Sequence, residues 1–258
     1  MKLSFIVPYK HNSERLGLLG ATINNLPKWN NIEICVSELG ERPCFENTYV
    51  YKILSKFYNL KYCFNYYGGI FNRALAINIG AKSLATNKIF CLLDGDIVFK
   101  YQENTICDIL TYGFQPCAGF NSMYFMNPEE TKDYLIKGVY PSSHPSHKMR
   151  FSKPGGLAGG LIIMSKDIFM KIKGIPEMFK GTWGNDDNAL WYKLQAYGYY
   201  FRSIPRCFYH LHHLHKTEKD ADIMSKIDEI RNWTILDWKK YDNEIGNNWG
   251  IYDNKKYK

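Results

Sequence analysis

The feature that most constrains this chain is a set of short apolar runs, at residues 3–7, 32–36 and 89–93, set apart by segments of helical periodicity. Each run is too short for a buried helix and rich in strand-forming residues, so each reads as a buried strand. After the first run, Leu16, Leu19, Ile23 and Leu26 recur at helical spacing, with Ser13 as the expected cap and Pro27 as the stop. A weaker strand at 62–64 precedes a helix expected over 72–84, with Ala74, Ile77, Ala81 and Leu84 on one face. Strands alternating with helices predict an α/β fold: a mostly parallel, Rossmann-like sheet flanked by helices. Ligands of such sheets bind beyond the carboxyl ends of the strands. Pro8-Tyr9-Lys10 and Asp94-Gly95-Asp96 both follow expected strands, so they are expected to meet in one crevice.

The second half is less regular. Residues 141–160, rich in Pro, Ser, His and Gly, read as a long loop of the kind from which lids are drawn. A strand at 161–164 follows, then a short helix capped by Ser165 and ended by Gly174. Another helix starts near Asp186, and a strand over 199–209 runs into His210-Leu211-His212-His213-Leu214-His215. With no repeat and no linker, residues 1–258 read as one domain, with a nucleotide-binding half at 1–100, an acceptor and metal half at 101–220 and a helical extension at 221–258.

Composition narrows the function classes. The net charge of +8 suits anionic ligands, peripheral contact with an anionic membrane surface or nucleic acid, but the basic residues are scattered apart from Lys255, Lys256 and Lys258. That scatter argues against nucleic acid. Seven cysteines without a CxxC pair suggest neither a zinc ribbon nor a disulfide framework, in keeping with a reducing compartment. No apolar run approaches the ~20 residues that span a bilayer, and the chain opens on an expected core strand, so a cytoplasmic location is expected. The 20 tyrosines suit aromatic walls for sugar rings, or equally a bias of composition.

Three constellations carry chemistry. Asp94-Gly95-Asp96 places two carboxylates at a strand end, where they can hold a hard divalent cation and, through it, a nucleotide diphosphate, although a plain turn would use the same residues. On a strand, His210 and His212 point to one side and can chelate one ion, with His213 and His215 forming an opposite pair. Trp183-Gly184-Asn185-Asp186-Asp187 sets two acids at a helix start, as ordinary caps or as a general base for an attacking hydroxyl.

Taken in order, these segments resemble the β-1,4-galactosyltransferase family (family 7 type), and more loosely other inverting transferases of the GT-A fold. IVPYKHNSERL is similar to the family's first strand and turn, and Phe71-Asn72-Arg73-Ala74 with Asn78 and Gly80 matches its FNRA segment. Asp94-Gly95-Asp96 stands at the family's DVD. Gly159-Gly160, Ser165-Lys166 and Lys173-Gly174-Ile175-Pro176 resemble its double glycine, SK helix and N-G-F/I-P turn. Residues 183–187 fall on GWGGEDD, and Phe208-Tyr209-His210-Leu211-His212 resembles the H-x-H motif of the xylose-directed branch. The chain departs from the pattern in having Asn185 for the family's glutamate, a tryptophan one place late after Thr182, and only one of the flanking glycines.

The resemblance implies an inverting, Mn²⁺- or Mg²⁺-dependent transfer of galactose or N-acetylgalactosamine from a UDP-sugar to a hydroxyl of a glycan or glycoconjugate acceptor. It implies donor contacts from Pro8, Tyr9, Lys10, Phe71, Arg73, Asp94, Asp96 and Trp183, and metal ligation by Asp94, Asp96, His210 and His212. Asp186 is then the base, and Asp187 a cap or acceptor contact. Two alternatives remain: a nucleotidyltransferase, whose glycine-rich loop is missing from residues 8–12, and a non-catalytic sugar- or metal-binding protein, which has no use for Asp186 beside the paired acids.

Overall fold

A computed structural model describes residues 2–113, 117–141, 149–151, 159–179, 185–214 and 221–251. The first half follows the expected alternation, with α2 filling an interval for which the sequence suggested no helix: β1 (Leu3–Tyr9), α1 (Ser13–Asn24), β2 (Ile32–Gly40), α2 (Tyr49–Phe57), β3 (Leu60–Tyr66), α3 (Arg73–Ser83) and β4 (Ile89–Leu93). The second half holds β5 (Ile97–Val98), α4 (Gln102–Tyr112), β6 (Cys117–Phe125), α5 (Pro128–Lys137), β7 (Met149–Phe151), β8 (Leu161–Ser165), α6 (Lys166–Lys171), α7 (Asn185–Ala196), β9 (Phe201–His210), α8 (Ala221–Ile230) and α9 (Ile235–Ile245). The helix cap expected at Ser13 belongs to Asn12, whose side chain accepts from Arg15 N at 2.6 Å.

The sheet has the order β3-β2-β1-β4-β8-β6-β9-β5, with β7 paired to β6. Strands β3, β2, β1 and β4 are parallel, as a βαβ pattern requires. Beyond β4 the sheet becomes mixed: β8 runs antiparallel to β4 and β6, while β9 runs parallel to β6 and antiparallel to β5. The chain winds outward from β1 to β3 and then returns to β4 on the other side, so β1 and β4 flank a switch point. Their pairing ends at Ile6–Leu92, while β1 continues beside β2 to Tyr9. The sheet opens there into a crevice.

Alternation along the strands divides the core between two faces. Phe5, Val7, Ile34, Val36, Cys91 and Leu93 pack with α1, α2 and α4 on one side. Ile6, Cys35, Phe90, Leu92 and Met164 pack with α3, α6 and α7 on the other. Both faces are covered, which is why every residue of β1 and β4 is buried. All seven cysteines are free, and no described helix is long and apolar enough to cross a membrane.

A buried ion pair holds α7 against α9. Lys193 is fully buried, with Nζ 2.5 Å from Asp242 Oδ1, and the Tyr197 hydroxyl donates to Asp242 Oδ2 at 2.6 Å. Removing one partner of such a pair strands the other charge. Lys193→Ala is therefore expected to destabilise the fold by about 3–5 kcal/mol in denaturant titration. The double change Lys193→Met with Asp242→Leu, which removes both charges and keeps the volume, is expected to recover most of that loss.

Candidate active site

The C-terminal ends of β1 and β4, the first turns of α3 and α7 and the end of β9 converge at the crevice. Asn72 caps α3, accepting from Leu75 N at 2.9 Å, and its amide donates to Glu177 O at 2.8 Å. Asn78, six residues further on and fully buried, donates to Ile175 O at 2.8 Å and accepts from Ile175 N at 2.9 Å. The turn at 173–177 is thereby locked onto α3. Its Gly174 has φ +67°, and a Cβ there would lie 2.2 Å from Asn78 Oδ1, so only glycine fits. These contacts fix where the first side chain of α3, Arg73, points.

Arg73 ties together three carboxylates from distant parts of the chain. Its Nε donates to Asp94 Oδ1 at 2.6 Å, and its Nη1 to Asp186 Oδ2 at 2.5 Å and Asp187 Oδ1 at 3.0 Å. A cation at a helix N-terminus opposes the macrodipole, whereas the two acids opening α7 are favoured by theirs. The carboxylates outweigh both that opposition and the burial that disfavours the guanidinium charge, so Arg73 stays firmly protonated. Its Nη2 is buried with no hydrogen-bond partner among the described residues. Burial, helped by the neighbouring Asp186 and Asp94 charges and opposed by Arg73, pushes the Asp187 carboxyl up to about 7. Burial likewise raises Asp94. Gly159 and Gly160 lie against these acids: a Cβ would come within 2.7 Å of Asp187 Oδ2 at Gly159 and 3.3 Å of Asp94 Oδ2 at Gly160.

A second cluster lies two residues along the same turn. Asp96, His210 and His213 are all buried, and their ligand atoms lie within 4.8 Å of one another. His213 Nε2 is 3.0 Å and His210 Nε2 3.6 Å from the Asp96 carboxylate. Burial alone would raise the Asp96 carboxyl, but His210, His213 and Arg15 together hold it well below the usual carboxylate range. Asp96 Oδ1 is buried without a hydrogen-bond partner among the described residues. Two imidazoles and a carboxylate with one orphaned oxygen fit a divalent cation of the Mn²⁺ type.

The expected ligand set changes in two places. His212 is outside the cluster and His213 is in it, because β9 ends at His210 and two-residue alternation ends with it. Leu211 N bonds to Asp96 O at 2.8 Å and His212 N to Thr131 Oγ1 at 2.7 Å, turning the chain so that positions 210 and 213 share a side. Asp94, expected beside the metal, is instead engaged by Arg73. Pro8 and Tyr9 belong to β1 and are buried, the Tyr9 hydroxyl meeting His11 Nδ1 at 2.9 Å. Lys10 is exposed and lines a cavity of about 440 Å³ with His11, Glu38, Arg42 and Tyr67. Phe71 packs at the edge of this region, half-buried against the Leu39 and Tyr67 cluster. Trp183, His215 and residues 142–148 and 152–158 of the expected loop lie outside the described residues, while 149–151 of that loop form β7. Sequence reading assigned no role to Arg15, whose only signal was its place in the turn after the first strand. Its Nη1 lies 2.9 Å from Asp96 Oδ2.

Residues 143–217, under a third of the chain, match the family model described as the N-terminal domain of galactosyltransferase. Curated proteins give no sequence match. Among solved structures, the chain is similar to the mannosyltransferase PcManGT of Pyrobaculum calidifontis in complex with GDP-Man and Mn²⁺, with a TM-score of 0.56 and 14% identity over 97% of this chain and 72% of that one. It is also similar to residues 1–349 of S. aureus TarS in complex with UDP-GlcNAc, with a TM-score of 0.59 and 13% identity over 93% of this chain and 70% of that one. These likenesses place the fold in the GT-A class.

The raised Asp187 carboxyl has a consequence for stability. Its value of about 7 exceeds the ordinary 3.8, so the folded chain holds a proton that the unfolded chain has lost. That difference makes stability fall as pH rises between the two values. Thermal melts from pH 5 to 8 are expected to show Asp187→Asn gaining on the parent as pH rises, because the asparagine carries no charge to bury.

Proposed function

We propose that this chain, a glycosyltransferase of the GT-A fold, transfers galactose or N-acetylgalactosamine from a UDP-sugar to a glycan hydroxyl, with inversion at the anomeric carbon. The observation that carries this reading is the convergence of two sites on one turn: Asp96 belongs to the metal-type cluster, and Asp94, two residues earlier, joins Arg73 to Asp186 and Asp187. A binding protein needs no such acid pair beside a cation site. A diphosphate leaving group and an acceptor hydroxyl need both, a charge to stabilise one and a base for the other.

A divalent cation held by Asp96, His210 and His213 would supply charge neutralisation to the leaving diphosphate. The remaining work falls to side chains. Arg73, with Nη2 unengaged, offers a donor to an anionic oxygen of the nucleotide. Lys10 and Arg42 add positive charge to the cavity at the ends of β1 and β2, whose volume suits a nucleoside. Asp186 takes the proton of the attacking hydroxyl. Asp187, titrating near neutrality, stands beside it to hydrogen-bond the acceptor. On this reading residues 1–100 bind the nucleotide and 101–220 supply most metal and acceptor groups. The family resemblance assigns Trp183 to a sugar ring.

Two variants test the assignment. Asp186→Asn keeps shape but cannot accept a proton, so UDP affinity is expected to survive while turnover falls by about a hundred to ten thousand fold. A defect confined to KM would reduce Asp186 to an acceptor contact. Asp96→Ala is expected to abolish the Mn²⁺ dependence of UDP binding, followed by thermal shift, without unfolding the protein. Product NMR on a panel of UDP-sugars reads the sugar and the anomeric outcome; a retained configuration would overturn the single-displacement reading.

A further inference from the structure

Arg15 lies in the first turn of α1 and reaches across to the cluster of Asp96, His210 and His213. Its Nη1 is 2.9 Å from Asp96 Oδ2, and its Nη2 is 3.2 Å from His213 Nδ1. The Asp96 side chain is 4% exposed and that of Arg15 38%. A buried carboxylate needs a countercharge, and a partly exposed guanidinium can supply it and also withdraw to solvent.

His213 makes the withdrawal obligatory. A neutral imidazole has one donor and one acceptor nitrogen. A guanidinium only donates, so its contact at Nδ1 requires Nδ1 to be the acceptor. A neutral ring that accepts at Nδ1 carries its proton on Nε2, from which it would donate to Asp96 Oδ2, 3.0 Å away. A cation at Asp96 needs the Nε2 lone pair, so the proton must move to Nδ1. There it has a ready acceptor, the Leu214 carbonyl oxygen at 3.3 Å, the backbone partner usual for a metal-bound histidine. With Nδ1 protonated, the Arg15 contact would set donor against donor. The two states exclude each other at one nitrogen.

We infer that Arg15 is a positioning residue that takes the cation's place in the empty enzyme, holding Asp96 and His213 in register and fixing the Nε2–H tautomer of His213 until the ion displaces it. This rests on the metal reading of Asp96, His210 and His213. The consequence is that ion binding competes with an internal charge, so the site's affinity for a free cation is held down and its ligands stay assembled when it is empty.

The tautomer is read directly by long-range ¹H–¹⁵N correlation of the imidazoles in the intact protein. His213 is expected to carry its proton on Nε2 in the metal-free protein and on Nδ1 after loading with diamagnetic Zn²⁺. An Nδ1–H tautomer already present without metal would overturn the proposal. In parallel, Mn²⁺ titration followed by loss of the free-ion EPR signal, without nucleotide, is expected to show Arg15→Gln binding about tenfold more tightly, the effect of removing one nearby charge at a partly exposed site. Arg15→Lys, which keeps the charge, is expected to stay near the parent. Equal or weaker Mn²⁺ binding by Arg15→Gln would also overturn it. Asp96→Asn separates the two layers: if it binds Mn²⁺ like the parent, the metal reading itself fails, whereas its loss of Mn²⁺ beside an unchanged Arg15→Gln fails only the role of Arg15.

Discussion

The candidate site depends on one guanidinium. Arg73 stands at the entrance of α3 and is contacted by carboxylates from positions 94, 186 and 187, so a single cation spans separations of 21, 113 and 114 residues. Without it, the buried Asp186 and the half-buried Asp94 and Asp187 would face one another across the crevice, and mutual repulsion would push their elements apart. The surrounding structure serves to hold this charge in place: Asn72 and Asn78 lock the turn at 173–177 onto α3, and the buried Lys193–Asp242 pair holds α7 against α9. Each of those groups is itself a buried polar residue with its partners satisfied, so displacing one exposes an unsatisfied group elsewhere.

The first hundred residues were legible because one rule governs them. In a parallel sheet covered on both sides, strands appear as continuous apolar runs and helices as periodic ones, and residues 3–7, 32–36 and 89–93 satisfy this without competition from turns. The weaker run at 62–64 turned out longer, Leu60–Tyr66, because an edge strand pairs on one side and does not need uniform burial. The rule weakens once the sheet becomes mixed, where β8 and β9 remain readable but β6 and α5 do not. Strand β6 reads as CAGFNSMYF, in which Asn121 and Ser122 interrupt the apolar pattern at the register shift opposite β9, and α5 is mostly polar and is specified instead by the capping box of Asn127 and Glu130. Neither carries an apolar period long enough to find in the sequence.

In the site, order along the chain proved more informative than local geometry. Arg73, Asp96, Asp186, Asp187 and His210 are drawn to one crevice, and each was visible as part of a motif. The substitution of His213 for His212 was not, because it depends on where β9 stops, and that is decided by hydrogen bonds to Asp96 O and Thr131 Oγ1, far away in sequence. Arg15 was hidden for a related reason. A lone arginine on a helix is ordinary, and its meaning comes only from the carboxylate 81 residues away that it meets.

The glycine pair at 159 and 160 gives the crevice an unusual boundary. At this point the wall between Asp187 and Asp94 is bare main chain, since a methyl group at either position would press on a carboxylate oxygen. A wall made of peptide groups offers the same atoms whatever the sequence, so it cannot be reshaped by exchanging one side chain for another. Variation that alters the shape of the crevice is thereby confined to its other surfaces, while the spacing of the two acids is preserved.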